Sequence, residues 1–525
     1  MTLPRFDARR TVPFLVVAAV AVQVLPIWLT TRFPDQDGPA HLASSVAISG
    51  AYHGAAATGL HSYVTLHLDL GNNPLGHLIL AGFVRTTGVL TGQRLFLSAF
   101  LVLFALAGWY AMSAVCTRGG ALVTLLLPVG SGYFFLLGFW DFLLSLFGVL
   151  VVTGYWLRHH ADDGRAKYAV VGVLLLVTSL LHPSGVIVGV PLTGLVAVFD
   201  AFAAKSRAAV IGVVLAALAC LPAFVPAALV AANASGSTPR PPLSTSLRGL
   251  FGLVSVVRVL HSRSEAGLTI LLVIMLIALA VLAVCHRLRT RAFAPVDGVF
   301  VVAVACGIGS LLAPGATGGA EILNERLAVF AVVLLVVWLG AQEFTNWIRI
   351  AAIATGALLA IGLVAVRVPT YRDLDRDLRE IASVGHTTVP GRTFVLVLGK
   401  NTTEVDRIER AFRTDPLRSA GEYLAAEHEL VGLDNYEGRY GYFPYQFVAS
   451  RDPVRQLFLA TDPRVFTRIP QLDLAGYTRR TGGVVDYVAV LGPPDAALLA
   501  TLANGYRQVA VSEPRGLVTV FGRVA

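Results

Sequence analysis

Apolar runs of about 17–25 residues recur along most of this chain. Runs of that length are what an α-helix needs to cross a hydrocarbon layer about 30 Å thick. They predict spans at 12–30, 93–115, 121–137, 141–157, 168–187, 189–203, 208–231, 268–285, 297–313, 327–342 and 349–367, about eleven in all. Two longer polar intervals break the series: 32–92, between the first and second spans, and everything from 368 onward. The pattern predicts a membrane-spanning helical domain over 1–367, with a first outer loop at 32–92, and a second domain over 368–525.

The loop carries its own helix signals. Gly38-Pro39 followed by Ala-His-Leu-Ala-Ser-Ser-Val starts one helix, because Pro suits the first helical position. Asn72-Asn73-Pro74 starts a second, expected to lie in the membrane interface and to be interrupted by Gly82, Arg85 and Gly88. In the tail, Thr393–Leu398 and Val484–Val490 read as buried strands, and 509–511 with 518–521 as a terminal hairpin. Leu417–Glu429 reads as a helix started by Thr414-Asp415-Pro416. Together these describe a small α/β domain.

Composition supports this picture. The chain has 525 residues, 55% hydrophobic and 14% charged, with a mean hydropathy of +0.70. A soluble chain would hold about a quarter charged residues. The formal charge of +9 comes from Lys and Arg scattered between apolar runs, which fits positive-inside loops and not a nucleic-acid patch. Arg5, Arg9 and Arg10 precede the first run, read as an uncleaved helix with a cytoplasmic N-terminus. An odd number of spans then puts the tail outside. The four cysteines lie in or beside apolar runs without CxxC spacing, so neither disulfide nor metal is expected of them.

Candidate chemistry centres on Thr31-Arg-Phe-Pro-Asp35-Gln-Asp37-Gly-Pro39-Ala-His41, where the first span meets water. A carboxylate there can take a proton from a hydroxyl. Asp35 and Asp37 together could hold a divalent cation, and Asp37 could equally cap the helix that follows. His41 shares a helix face with Asp37, where it could orient the carboxylate or place a proton donor as a third catalytic candidate, or simply steady the helix, and His77 shares one with Asn73. His53, His61, His67 and His77 fall in the same loop at intervals that match no metal-ligand spacing, so metal ligands stay unassigned. Asp141 sits in an apolar run, and His182-Pro183-Ser184-Gly185 interrupts the predicted fifth span, where broken helices open backbone groups to a cavity. Arg326 lies beside Asn324 and Glu325 at the lip of the tenth span, as a phosphate-binding group or a snorkelling one.

In this arrangement the chain resembles the GT-C integral-membrane glycosyltransferases, which use polyprenyl-phosphate-linked sugars. The resemblance rests on the single helix leading to Asp35-Gln-Asp37-Gly-Pro-Ala-His41, the Gly138-Phe-Trp-Asp141 turn, the later spans and the α/β tail. It implies transfer of a sugar, with inversion, from a polyprenyl-phosphate donor to a lipid, glycan or protein acceptor outside the plasma membrane. An Asp of the first loop would be the base, Asp37 or Asp35. Many members have Asp-Glu where this chain has Asp-Gly. Arg326 would meet the lipid phosphate, with Asn324, Glu325, Asn73, His77, Asp141 and His182 as further substrate contacts. No cofactor is implied, although a divalent cation is allowed. The competing reading is a transporter or lipid-linked glycan handler without transferase chemistry, and a third is an envelope scaffold with the tail as a binding module.

Overall fold

The computed structural model describes residues 8–162, 164–233, 237–290, 294–317, 320–399, 403–458 and 472–524. It is mostly helical. Among the described residues eight helices are long and apolar enough to cross a membrane, or nine if one pair bent by 44° between Gly119–Leu125 and Leu127–Leu137 is a single span. Two shorter apolar helices, Ala166–Leu181 and Asp297–Leu312, complete the series. Each predicted span has a counterpart among these segments, although the last helix runs on past 367 to Ser383 and one internal boundary is shifted. The fifth and sixth helices part at His182-Pro183, between Leu181 and Ser184, and not at 187/189. His182 is therefore a junction residue and does not interrupt a span. Pro183 explains the shift, since a proline disfavours helical backbone in the residue before it.

The chain divides into two compact units: Met1–Pro26, Leu97–Phe135 and Trp140–Val368 in the first, and Ile27–Phe96, Leu136–Phe139 and Pro369–Ala525 in the second.

The first unit is a helical assembly. On its Arg263–Thr290 helix, Leu272, Leu276, Leu279 and Ala283 are buried while Ile270, Leu271, Ile274, Ile277, Val281 and Leu282 are exposed. The buried set repeats every three to four residues, as one helix face should. The exposed set is just as apolar, which suits contact with lipid and not water. Inside the unit, Arg367 forms a buried ion pair with Glu265 at 2.7 Å and donates to the Ser131 carbonyl at 2.8 Å and the Val257 carbonyl at 2.6 Å. Glu265 in turn accepts from the Val259 and Leu260 amides at 3.1 and 2.6 Å. Beside them Gln23 donates to the Ala360 carbonyl at 2.8 Å and accepts from the Ser131 hydroxyl. These polar residues tie the first, third, eighth and last apolar segments together.

The second unit holds a five-stranded sheet. Strands Val431–Gly432, Thr393–Leu398, Tyr487–Leu491, Val518–Arg523 and Tyr506–Val511 lie side by side in that order. The joins to Thr393–Leu398 are parallel and the last two are antiparallel. Thr393–Leu398 is buried throughout, which explains its unbroken apolar run. The predicted Leu417–Glu429 helix is shorter, spanning Glu422–His428, because turns occupy the preceding residues. The predicted strand over 484–490 starts later, at Tyr487. The first-loop segment belongs to this unit. It contributes helices Gly38–Ile48 and Pro74–Thr87 and a strand, Val64–Leu66, paired antiparallel with Tyr445–Phe447. Pro74–Thr87 is continuous through Gly82 and Arg85 and ends at Gly88, whose φ of +87° stops the helix.

The Arg367–Glu265 pair gives a stability test. Glu265→Ala would leave a buried guanidinium without its carboxylate, at a cost of about 3–5 kcal/mol. The apparent Tm in detergent should fall clearly, and replacing both partners by apolar residues (Glu265→Leu with Arg367→Met) should recover most of the loss. A single variant as stable as wild type would show that the pair does not hold these helices.

Candidate functional site

The chain from Thr30 to Asp37 is fixed at nearly every residue within the second unit. Arg94 donates to the Thr30 and Thr31 carbonyls at 2.8 and 3.0 Å. The Thr31 and Arg32 amides donate to Asp375 at 2.9 and 2.8 Å, and the Arg32 side chain grips Glu427 with two bonds of 2.7 Å. Tyr423 donates to the Phe33 carbonyl at 2.7 Å. The Gln36 and Asp37 amides then donate to the Leu136 and Leu137 carbonyls at 2.9 and 3.0 Å. The Gln36 side chain accepts from the Asp415 amide at 2.8 Å and donates to the Asp37 carboxylate at 3.1 Å. Bonds from so many directions fix where the two aspartates sit.

Asp35 and Asp37 are both buried. Asp37 occupies the position before the Gly38–Ile48 helix, but its side chain makes no capping bond there. Simple capping, one reading of the sequence, is therefore not what this carboxylate does. Gly38 has a specific task. A side-chain carbon on it would collide with the Asp35 carboxylate. Gly138 approaches from the other side with a φ of +77°, and a side chain there would strike the Gly38 and Asp37 amides. Both glycines leave room for the acidic turn. Tyr423 and Tyr436 sense the aspartates: burial raises each phenol well above its ordinary pKa, and the charge of Asp35 adds to this at Tyr423 and that of Asp37 at Tyr436.

His41 lies one turn into the first helix and His77 one turn into the second. Both reach Glu437, a residue absent from the sequence-based candidates. His77 Nε2 stands 3.1 and 3.2 Å from the two Glu437 oxygens, and His41 Nδ1 pairs with the nearer one. The two ring nitrogens are 3.3 Å apart. Burial opposes the Glu437 charge, yet His77 and His41 hold its carboxyl well below the usual range. Tyr436 meets the far nitrogen of His41 at 3.4 Å, and Phe443 packs against both rings. Asn73, before the second helix, has a φ of +45° and is buried, and its neighbour Asn72 donates to the Gly441 carbonyl at 2.6 Å. The polar-aromatic run at 434–444 is thus where the first-loop helices meet the tail.

A second group of predicted residues lies in the first unit. Arg326 donates to His182 Nε2 at 2.7 Å and to the Glu321 carbonyl at 2.8 Å, with its guanidinium 5.0 Å from the Phe142 ring centre. Arginine can only donate, so His182 accepts as a neutral ring. Glu325 accepts from the Ser255 hydroxyl at 3.1 Å, and Asn324 is buried beside it. Asp141 is buried in the first turn of the Trp140–His159 helix, one residue from Phe142. The predicted residues therefore form two sets. Asp35, Asp37, His41, Asn73 and His77 belong to the second unit, and Asp141, His182, Asn324, Glu325 and Arg326 to the first. Gln36, Tyr423, Tyr436 and Glu437 were missed. Gln36 lies inside the acidic stretch itself and Tyr423 in the predicted Leu417–Glu429 helix, but neither position carried a signal of its role.

No family model matches the sequence, and no curated protein sequence matches it significantly. Solved structures do share the fold. ArnT from Cupriavidus metallidurans in the apo state aligns over 99% of this chain and 98% of its own, with a TM-score of 0.56 and 13% identity. The same protein bound to undecaprenyl phosphate aligns over 99% of each chain, at 0.56 and 14%. At such identity the likeness is one of fold.

Two measurements probe the packing of this site. Gly38→Ala should displace Asp35 and lower the apparent Tm, at a cost of about 1–3 kcal/mol typical of overpacking; an unchanged Tm would mean the turn has slack. Asp434, near the same loop, is pushed up to about 7 by burial, against about 4 in an unfolded chain. Between those values the folded protein keeps a proton that the unfolded chain releases. The contribution of this carboxyl to stability should therefore be greatest below about pH 4 and fall as pH rises to about 7. Asp434→Asn should flatten that part of the Tm–pH curve, and identical slopes would refute the assignment.

Proposed function

We propose that this chain is a membrane glycosyltransferase that moves a sugar from a polyprenyl-phosphate donor to a lipid, glycan or protein acceptor on the extracytoplasmic face of the plasma membrane. The observation that carries the reading is the buried, rigidly bonded pair Asp35–Asp37 at the start of the first loop. Carboxylates are costly to withdraw from water, and a chain with so few charged residues keeps two here within three positions. Support also comes from full-length similarity of fold to ArnT, which has been solved bound to undecaprenyl phosphate.

In the proposed reaction Asp37 accepts the proton of the acceptor hydroxyl. The acceptor oxygen bonds to the anomeric carbon as the bond from that carbon to the phosphate oxygen breaks. Polyprenyl phosphate leaves with the electron pair, and a single displacement inverts the anomeric centre. Asp35 is the alternative base, and its burial beside Tyr423 marks it more as a positioning group for the turn. Gln36 positions Asp37 through its 3.1 Å bond. Arg326 is assigned separately, as the phosphate-binding cation of the helical unit. Its planar guanidinium suits two phosphate oxygens, and His182 holds it in place as a neutral acceptor.

The test is sugar transfer from a panel of polyprenyl-phosphate sugars in nanodiscs. Removing a general base commonly costs about 10²–10⁴-fold in rate, so Asp37→Asn should lose activity on that scale, with Arg326→Ala weakening donor use. Full activity in both variants would end this reading. Transbilayer movement of the lipid-linked sugar without transfer would favour the transporter.

A further inference from the structure

The contact between His41, His77 and Glu437 is difficult to build from hydrogen bonds alone. Three polar atoms, His41 Nδ1, His77 Nε2 and Glu437 Oε1, touch one another pairwise. Each pairwise hydrogen bond needs one proton between its partners, and an ionised carboxylate brings none. If both rings donate to Glu437, two N–H groups face each other across 3.3 Å. If one ring donates to the other, a ring nitrogen turns its lone pair toward the carboxylate. A cation at the centre satisfies all three lone pairs at once.

Two of the three spacings also come near those of a bound ion. A tetrahedral zinc ion with bonds of about 2.0–2.2 Å to nitrogen and oxygen sets its ligand atoms about 3.3–3.5 Å apart. Here the two nitrogens are 3.3 Å apart and His77 Nε2 is 3.1 Å from Glu437 Oε1, while His41 Nδ1 and Glu437 Oε1 stand closer than a bound ion would set them. All three side chains are buried, at 5%, 2% and 0% exposure for His41, His77 and Glu437. Metal-bound imidazoles commonly have an outer hydrogen bond that orients the ring, and at His41 the Tyr436 hydroxyl stands 3.4 Å from the far nitrogen. Phe443 closes the apolar side of both rings. Among the described residues, these three side chains bring one ligand atom each within 4.8 Å of one another.

We propose that His41, His77 and Glu437 bind a divalent transition metal of the zinc class. Two imidazoles with one carboxylate suit zinc better than magnesium or calcium, which take mostly oxygen ligands. The ligands come from the Gly38–Ile48 helix, the Pro74–Thr87 helix and the Tyr436–Arg439 turn. The metal therefore clamps both first-loop helices to the tail segment of the same unit. Its role is to brace the helix that starts at the acidic turn, and it is distinct from the proposed base.

The test is metal content of the purified full chain in detergent, measured by inductively coupled plasma mass spectrometry after zinc loading and desalting. Wild type should retain about one ion per chain, as should His53→Ala and His61→Ala, exposed histidines of the same loop. His41→Ala, His77→Ala and Glu437→Gln should each retain less than about a tenth of that, since each removes one of three ligands. His77→Cys separates ligation from misfolding. A thiolate should keep zinc and, with cobalt loaded instead, add a sulfur-to-metal charge-transfer band. Tyr436→Phe should weaken binding by about 10–100-fold if it orients His41. Wild type that takes up no zinc, cobalt or manganese would overturn the proposal. So would retention of metal in the three ligand variants, or loss in His77→Ala with none regained in His77→Cys. Because no sugar donor enters the measurement, its result is separate from that of the transferase assay.

Discussion

Two carboxylates placed out of water within three residues of each other set the terms for the second unit. A buried carboxylate needs donors, partners or a proton, and it needs neighbours that cannot drift away from it. The turn from Thr30 to Asp37 meets this demand through its backbone. Arg94, Asp375, Tyr423, Leu136 and Leu137 each take one or two main-chain groups of the turn. Fixing the backbone leaves the aspartate side chains little freedom, and Gly38 and Gly138 supply the space that any larger residue would remove. The result is pre-organisation: proton transfer requires a base that is already in position.

The same logic explains the residues around the turn. Tyr423 is held between the Phe33 carbonyl, to which it donates, and Gln93. Its phenol therefore cannot offer a competing proton to Asp35 without breaking the bond that holds the turn. Gln36 bridges the Asp415 amide and the Asp37 carboxylate, so the approach of the tail to the turn is coupled to the orientation of one aspartate. A glutamine suits this because one end of its amide accepts while the other donates. In the helical unit Arg326 shows the complementary design. Its guanidinium lies on Phe142 and donates to a neutral histidine and to the Glu321 carbonyl.

How much of this was legible in the sequence depended on range. The spans follow from apolar windows, whose signal is local and long, so about eleven segments could be placed. The misplaced boundary near His182-Pro183 arose because hydropathy runs smoothly across a junction that only backbone sterics reveals. The helix starts at Pro39 and Pro74 were legible because proline acts on its own turn. Glu437 was not, because it lies 360 residues from His77 and no short-range pattern links them. The histidine spacing in the first loop looked wrong for a metal because its third ligand is in the tail. Gln36 and Arg367 were equally hidden, since their partners at Asp415 and Glu265 lie 379 and 102 residues away. A glycine after Asp37 read as a departure from an Asp-Glu pattern, and the space it gives Asp35 could be seen only in three dimensions.

These long-range partners change the meaning of the tail. The run at 434–444 mixes polar and aromatic residues. In the fold that run supplies Glu437 to the two histidines, the Gly441 and Phe443 carbonyls to Asn72, and, just beyond it, a strand to Val64–Leu66. Asp375, Tyr423 and Glu427, also from the tail, hold the segment that leads into the aspartates. The first loop buries Leu42, Val46, Leu60 and Leu80, but the backbone leading into it is held by tail residues such as Asp375 and Tyr423. Its order is therefore borrowed from residues more than 300 positions later in the chain. The acidic turn and the tail that braces it are one folded unit, and the chemistry proposed for the turn depends on the tail as much as on the turn's own sequence.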